Sequence, residues 1–379
     1  MADAFDWGLL EPAGQSGSAA GDDAVLSALV AVECALVRVW ADVDGSDGEA
    51  VAGLLDASAL DREALVAGVR RDGVPIVALV EQLRAQAGDR ADQVHRGATS
   101  QDILDSALML VSRDVLTAAR SKFVTAGNAL AALAQRERAT PYIARTLSQA
   151  AEPTTLGATI AAWLDAVSSA IGALDAAEFP VQLGGAVGTG EAFTRLSGRS
   201  DAPAALRASL AETLGLADPQ CAWHTDRAPV LAVAAAAAQL CVSAGRVGRA
   251  LGLGARDGIL LPDEGGASSA MPHKRNPVDA VILTANGLRA GGLVATLHAA
   301  ALSSDARPAG EWHAEWQAWR GLLRLAAESA DVLAHAAAHL VINGPPATAS
   351  ETAIVAAGTV VDASRTRFAA LTPETEIPQ

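Results

Sequence analysis

Residues 264–280, EGGASSAMPHKRNPVDA, gather two glycines, two serines, a histidine, a lysine, an arginine and an asparagine into a chain that is otherwise rich in alanine. Gly265, Gly266, Ala267, Ser268 and Ser269 carry little side-chain bulk, and Pro272 and Pro277 forbid a continuous helix. The composition predicts a mobile flap. Lys274 and Arg275, close to the helix expected after Pro277, suit a carboxylate, because free N–H groups and the helix dipole add positive potential there. A plain linker has no reason to place such cations beside hydroxyl groups.

A second group lies in HRGATSQD, residues 95–102. Thr99 and Ser100 offer hydroxyls at the start of a helix, where they can cap it or hold an anion. Asp102, three residues after Thr99 and just ahead of an apolar run, favours the cap. His95 is the only imidazole nearby, and alone it is more readily a packing or surface residue. Arg145 with Thr146, His224, and Arg227 are equally ambiguous one at a time.

These side chains need a scaffold, and the composition indicates which. The 379 residues are 51% hydrophobic but only 3% aromatic, the excess coming from runs such as VLAVAAAAAQL. Alanine is the best helix former and lets helices approach closely, so the expected fold class is all-α, a bundle of long helices. Apolar residues recur at helical spacing over 24–42, and long helical patterns run from Thr99 toward Arg138 and over about 230–254, 278–302 and 312–340. One more helix fits near 350–370. Three units are expected: an N-terminal helical domain (1–98), a central bundle (99–342) and a short C-terminal segment (343–379). The irregular segments between the helices are where function is usually placed.

A net charge of −15 argues against nucleic acid or an anionic membrane surface as partner. The N-terminal MADAFDWGLL has neither the basic nor the apolar region of a signal peptide, and the most apolar stretch, 228–242, is too short to span a bilayer. Cys34, Cys221 and Cys241 lie far apart without metal-ligand or disulfide spacing. The expectation is a soluble cytoplasmic protein that holds no metal.

SSAMPHKRNP resembles the signature of the fumarase/aspartase superfamily, roughly GSSxMPxKxNP. HRGATSQD, ARTLSQAAEPTTLG and QLGGAVGTG resemble its other segments, in the same order. AWHTDR and GEWHAEWQAW bring the chain closest to the branch that lactonises 3-carboxy-cis,cis-muconate. The resemblance implies an all-helical homotetramer without a cofactor, each site assembled from three subunits, and reversible addition and elimination next to a carboxylate of a small tricarboxylate. Ser268 then matches the residue that exchanges the carbon-bound proton, and His95 a site imidazole. Lys274 and Asn276, with Ser269, Thr99 and Ser100, match substrate ligands; Arg145, Thr146, His224 and Arg227 are weaker matches. The chain departs from the pattern at Ala267, where glycine is expected, at Leu147, where most members carry a histidine acid or base, and in a C-terminal domain shorter than the resemblance implies. Leucine transfers no proton. Loss of that histidine would cripple an amine-expelling reaction such as adenylosuccinate cleavage, but not one in which the oxygen nucleophile is an already ionised carboxylate. A non-catalytic homologue is the remaining alternative.

Overall fold

The computed structural model describes residues 19–262, 265–343 and 347–373. The chain runs α1 (Asp22–Asp44), α2 (Gly48–Ala52), α3 (Arg62–Asp72), α4 (Ile76–Ala87) and α5 (Ser100–Arg136). The ribbon β1 (Pro141–Thr146) and β2 (Gln149–Thr155) leads to α6 (Leu156–Asp175), α7 (Glu191–Ser197), α8 (Ala202–Leu214) and α9 (Ala228–Arg256). Then come β3 (Leu260–Pro262), α10 (Val278–Ala300), α11 (Glu311–Ala338), β4 (Leu340–Ile342) and α12 (Glu351–Leu371). The all-α long-helix bundle expected from composition is the observed fold, and the ends of α5, α9, α10 and α11 fall within a few residues of the sequence patterns.

The core lies between α5, α6, α9, α10 and α11. Small residues set its spacing: a Cβ on Gly248 of α9 would stand 2.5 Å from the Leu283 Cβ and 3.0 Å from the Ala280 carbonyl of α10. The two backbones therefore touch where any side chain would part them.

Two features differ from the sequence reading. ARTLSQAAEPTTLG is an antiparallel hairpin, Thr146 pairing with Gln149 around Leu147 and Ser148 at φ 47° and 64°. Both residues are left-handed, as a two-residue type I′ turn demands, although neither is the glycine or asparagine that usually signals one. The apolar run at 228–242 is also not short, since its helix continues to Arg256; α1, α6, α9 and α10 are all long and apolar enough to cross a membrane by length and composition. In α1, α6 and α9 more than half of the apolar window is buried within the chain, whereas only 33% of that in α10 is.

Helix lengths fix the separation of the ends. At 1.5 Å per residue, α5 is about 55 Å long and α9 about 44 Å. Arg227, just before α9, bonds to Asp105 in the second turn of α5, so both helices start at one pole of the bundle. Asp257, just after α9, bonds to Arg145 of the hairpin at the opposite pole.

Candidate functional site

The first pole collects His95, Thr99, Ser100, His224 and Arg227. α1 positions the loop that carries His95. Glu33, Trp40 and Asp44 are seven and eleven residues apart, which at 3.6 residues per turn keeps them within about 20° of one line along the helix. Glu33 Oε1 stands 2.6 Å from His95 Nδ1; Trp40 Nε1 donates to the Arg96 carbonyl at 2.8 Å; and the Arg96 guanidinium lies over the Trp40 ring and pairs with Asp44. On the other side, a Cβ on Gly97 would meet the Phe193 ring at 2.8 Å. His95 is held at φ 61°, a region a non-glycine residue occupies only when its surroundings impose it.

Asp102 joins the neighbouring segments. Its carboxylate accepts from the backbone N–H groups of Thr99 (3.0 Å), Gly184 (2.8 Å) and Gly185 (2.9 Å), and lies 2.8 Å from His224 Nε2. Thus Asp102 caps α5 while tying the glycine-rich loop to the His224 turn. The Thr99 hydroxyl accepts a hydrogen bond from Arg307. Ser100 opens α5 beside it.

Arg227 is 3% exposed, and its donors are taken up within the chain. Nε and one terminal nitrogen bond to Glu315 (2.9 and 2.6 Å), and the terminal nitrogens bond to Asp105 (2.7 and 3.2 Å) and to the Trp223 carbonyl (3.3 Å). Trp312 Nε1 also donates to Asp105, at 2.9 Å. Arg227 therefore has no donor left for a substrate. The sequence assigned it a ligand's part; the structure gives it that of a buried cation between two carboxylates. Burial pushes the Glu315 carboxyl up, only partly offset by Arg227. His224, also buried, spends Nε2 on Asp102 and keeps Nδ1 unpaired inside the protein.

The second pole carries the flap, Arg145 and Thr146. Gly266 and Asn276 pair through both backbone bonds at 2.9 Å, closing a loop whose base is further tied by Asn276 Nδ2 to the Ala267 carbonyl at 3.2 Å. Ser268 Oγ accepts from the N–H groups of Met271 (3.2 Å) and Ala270 (3.4 Å). Two N–H groups aimed at one hydroxyl oxygen are suited to stabilising negative charge on it. Ser269 and Lys274 are exposed, as is Thr146 at the hairpin end, and Arg145 lies 3.3 Å from Asp257. Leu147 at the hairpin tip is 98% exposed. Glu264, the first residue of the flap motif, lies outside the described residues.

The candidate residues thus form two clusters separated by the length of α9. Within one chain, Ser268, Lys274 and Asn276 cannot reach a molecule held by His95 and Thr99. Sequence reasoning also missed three participants at the first pole. Glu33 was detectable as a lone acid on a face whose neighbours Leu29, Val30, Leu36 and Val37 are all buried. Asp102 was read only as a cap. Arg307 lies in the irregular link between α10 and α11, where no periodicity marks it.

The Lyase family profile matches residues 49–292, more than half of the chain. The chain belongs to this family, that of the fumarase/aspartase superfamily. It is 39% identical over 350 residues to nitrosuccinate lyase of Streptomyces davaonensis, covering 87% of this chain and 74% of that protein. It is 37% identical over 307 residues to 3-carboxy-cis,cis-muconate cycloisomerase of Pseudomonas aeruginosa, covering 77% and 66% respectively. The crystal structure of 3-carboxy-cis,cis-muconate lactonizing enzyme from Pseudomonas putida superposes with a TM-score of 0.78 at 30% identity, covering 86% of this chain and 74% of that one. This lyase-family chain spans about two thirds to three quarters of the length of these relatives.

Proposed function

We propose that the chain is a cofactor-independent lyase that forms or breaks a bond to the carbon β to a carboxylate, with a leaving group that departs as a stable anion without needing a proton. Leu147 carries this reading: the hairpin position where most of the superfamily carries a histidine has no group that can protonate a leaving atom. In the elimination direction Ser268 Oγ, as its alkoxide, takes the proton from the carbon α to a carboxylate. The C–H electron pair becomes the new double bond, and the leaving group departs with its own bonding pair. Charge building on the carboxylate calls for preorganised cations and N–H donors, which Lys274 and the start of α10 supply. In the addition direction a carboxylate of the substrate is the nucleophile and needs no base.

Lactonisation of 3-carboxy-cis,cis-muconate is the first specific reading, supported by the cycloisomerase relatives. A second has its own support. Arg227 and His224 Nε2 are taken up inside the chain and so are withdrawn from a substrate, and nitrosuccinate presents two carboxylates where the muconate presents three. Its loss as nitrite also requires no acid. Purified protein should consume the muconate, read as falling ultraviolet absorbance, or release nitrite from nitrosuccinate, and should leave adenylosuccinate intact. Turnover of adenylosuccinate alone would remove the reading, and inertness toward all three would leave a non-catalytic homologue.

The protein acts as a soluble cytoplasmic homotetramer in which one copy's flap meets another copy's His95 pole. Support comes from the separation of the clusters and from the uncovered face of α9 and α10. An open groove of about 420 Å³ there is lined by Val242, Arg246, Arg249, Leu253, Thr284 and Leu288. Ser268→Ala and His95→Asn should each be inactive. Unfolded together and refolded as a mixture, they should recover about a quarter of wild-type turnover, the share of sites drawing both intact residues by chance. No recovery would place both residues in one chain's site.

A further inference from the structure

Glu33 has no place in the reaction as described, and its surroundings do not explain it as a stabilising residue. Its side chain is fully buried on α1, one carboxylate oxygen 2.6 Å from His95 Nδ1 and the other, Oε2, without a hydrogen-bond partner. An unpaired buried carboxylate oxygen costs stability, so a well-packed apolar residue would serve the core better. The same face of α1 fixes the rest of the loop through Trp40 and Asp44. That leaves the imidazole ring as what Glu33 itself determines. The His95 side chain is only 15% exposed and its backbone is held left-handed.

We infer that Glu33 is a positioning residue for His95: its carboxylate accepts the hydrogen on Nδ1, fixes that tautomer, and leaves the Nε2 lone pair facing the substrate side. In the reaction Nε2 takes up the Ser268 hydroxyl proton as the alkoxide forms, while Nδ1 keeps its own. The resulting imidazolium is stabilised by the Glu33 carboxylate 2.6 Å from Nδ1. This follows the general logic of a buried acid orienting a catalytic histidine. The inference rests on the reading that His95 faces substrate, but the tautomer can be measured without any substrate.

Ring-nitrogen NMR of histidine-labelled full-length protein, with His95 assigned by the loss of its signals in His95→Asn, should show hydrogen on Nδ1 and a bare Nε2 in the neutral ring. Glu33→Ala should abolish that preference. It should lower kcat about 10–100-fold, as loss of a supporting partner commonly does, with KM changed less than kcat and the melting temperature unchanged or raised. Glu33→Gln, which keeps the side-chain shape, serves if the alanine variant does not fold. Its amide oxygen can accept from Nδ1 but cannot stabilise the imidazolium, so it should keep the tautomer and still lose kcat. A wild-type ring with hydrogen on Nε2 would overturn the inference. So would a folded Glu33→Ala with unchanged ring signals, or a loss of stability in both variants with the tautomer kept and kcat unaltered. If wild-type protein turned over none of the proposed substrates, the proposed function would fail while the NMR result still decided the role of Glu33.

Discussion

Ser268→Ala should lower kcat by about 10²–10⁴-fold, the range in which a positioned proton-transfer group contributes, while circular dichroism and melting temperature stay at wild-type values. The two halves of this result have separate causes. Ser268 belongs to a partly exposed flap, and among the described residues the bonds at that hydroxyl come from the N–H groups of Met271 and Ala270. Removing it therefore opens no core cavity, and a surface change of this kind usually stays within about 0.5 kcal/mol. The catalytic loss follows because, among the described residues, no other group on the flap stands in the same relation to two N–H donors. Full turnover by the alanine variant would reject Ser268 as the proton-transfer residue.

Arg227→Ala should damage stability rather than binding, by about 3–5 kcal/mol, since removing one partner of a buried ion pair leaves the other charges uncompensated. That is a large part of the roughly 5–15 kcal/mol that holds a typical domain folded. The variant's deficit should also depend on pH. Burial already raises the Glu315 carboxyl, and the variant lacks the Arg227 cation that lowers it. A group whose pKa is raised by folding binds its proton more readily in the folded state. Its favourable contribution is therefore present below the ordinary carboxylate range, near 4.3 for glutamate, and disappears as pH rises through the raised value. Chemical denaturation at pH 5 and pH 8 should accordingly show the smaller deficit at pH 5. If Arg227 were instead a substrate ligand, Arg227→Ala would raise KM and leave both denaturation curves close to wild type.

The long helices were legible because alanine content and apolar spacing are local properties, and the start of α5 was legible because Asp102 reaches back to Thr99 within one turn. The non-helical character of residues 265–277 was legible from their glycine and proline content. The hairpin was not, since Leu147 and Ser148 are poor candidates for left-handed backbone, and the ribbon's pairing decides their conformation. The pairing of Arg227 is illegible for a related reason. Its partners Asp105 and Glu315 lie 122 and 88 residues away in sequence, and nothing local distinguishes a cation awaiting a substrate from one already paired. Family resemblance singles out His95, but only the folded chain brings Glu33 to its ring.

The span of α9 has a consequence for how this protein can change. If each site joins the Arg227 end of one bundle to the Asp257 end of another, the shaft between those ends is a gauge, and every site in the assembly is set by the same measurement. Four extra residues in the middle of α9 would advance its far end by about 6 Å and turn it by about 40°. The flap would then miss its partner pole, with every reacting side chain still intact. Insertions and deletions far from any substrate would therefore act as active-site lesions, and length would be tolerated only in the loops.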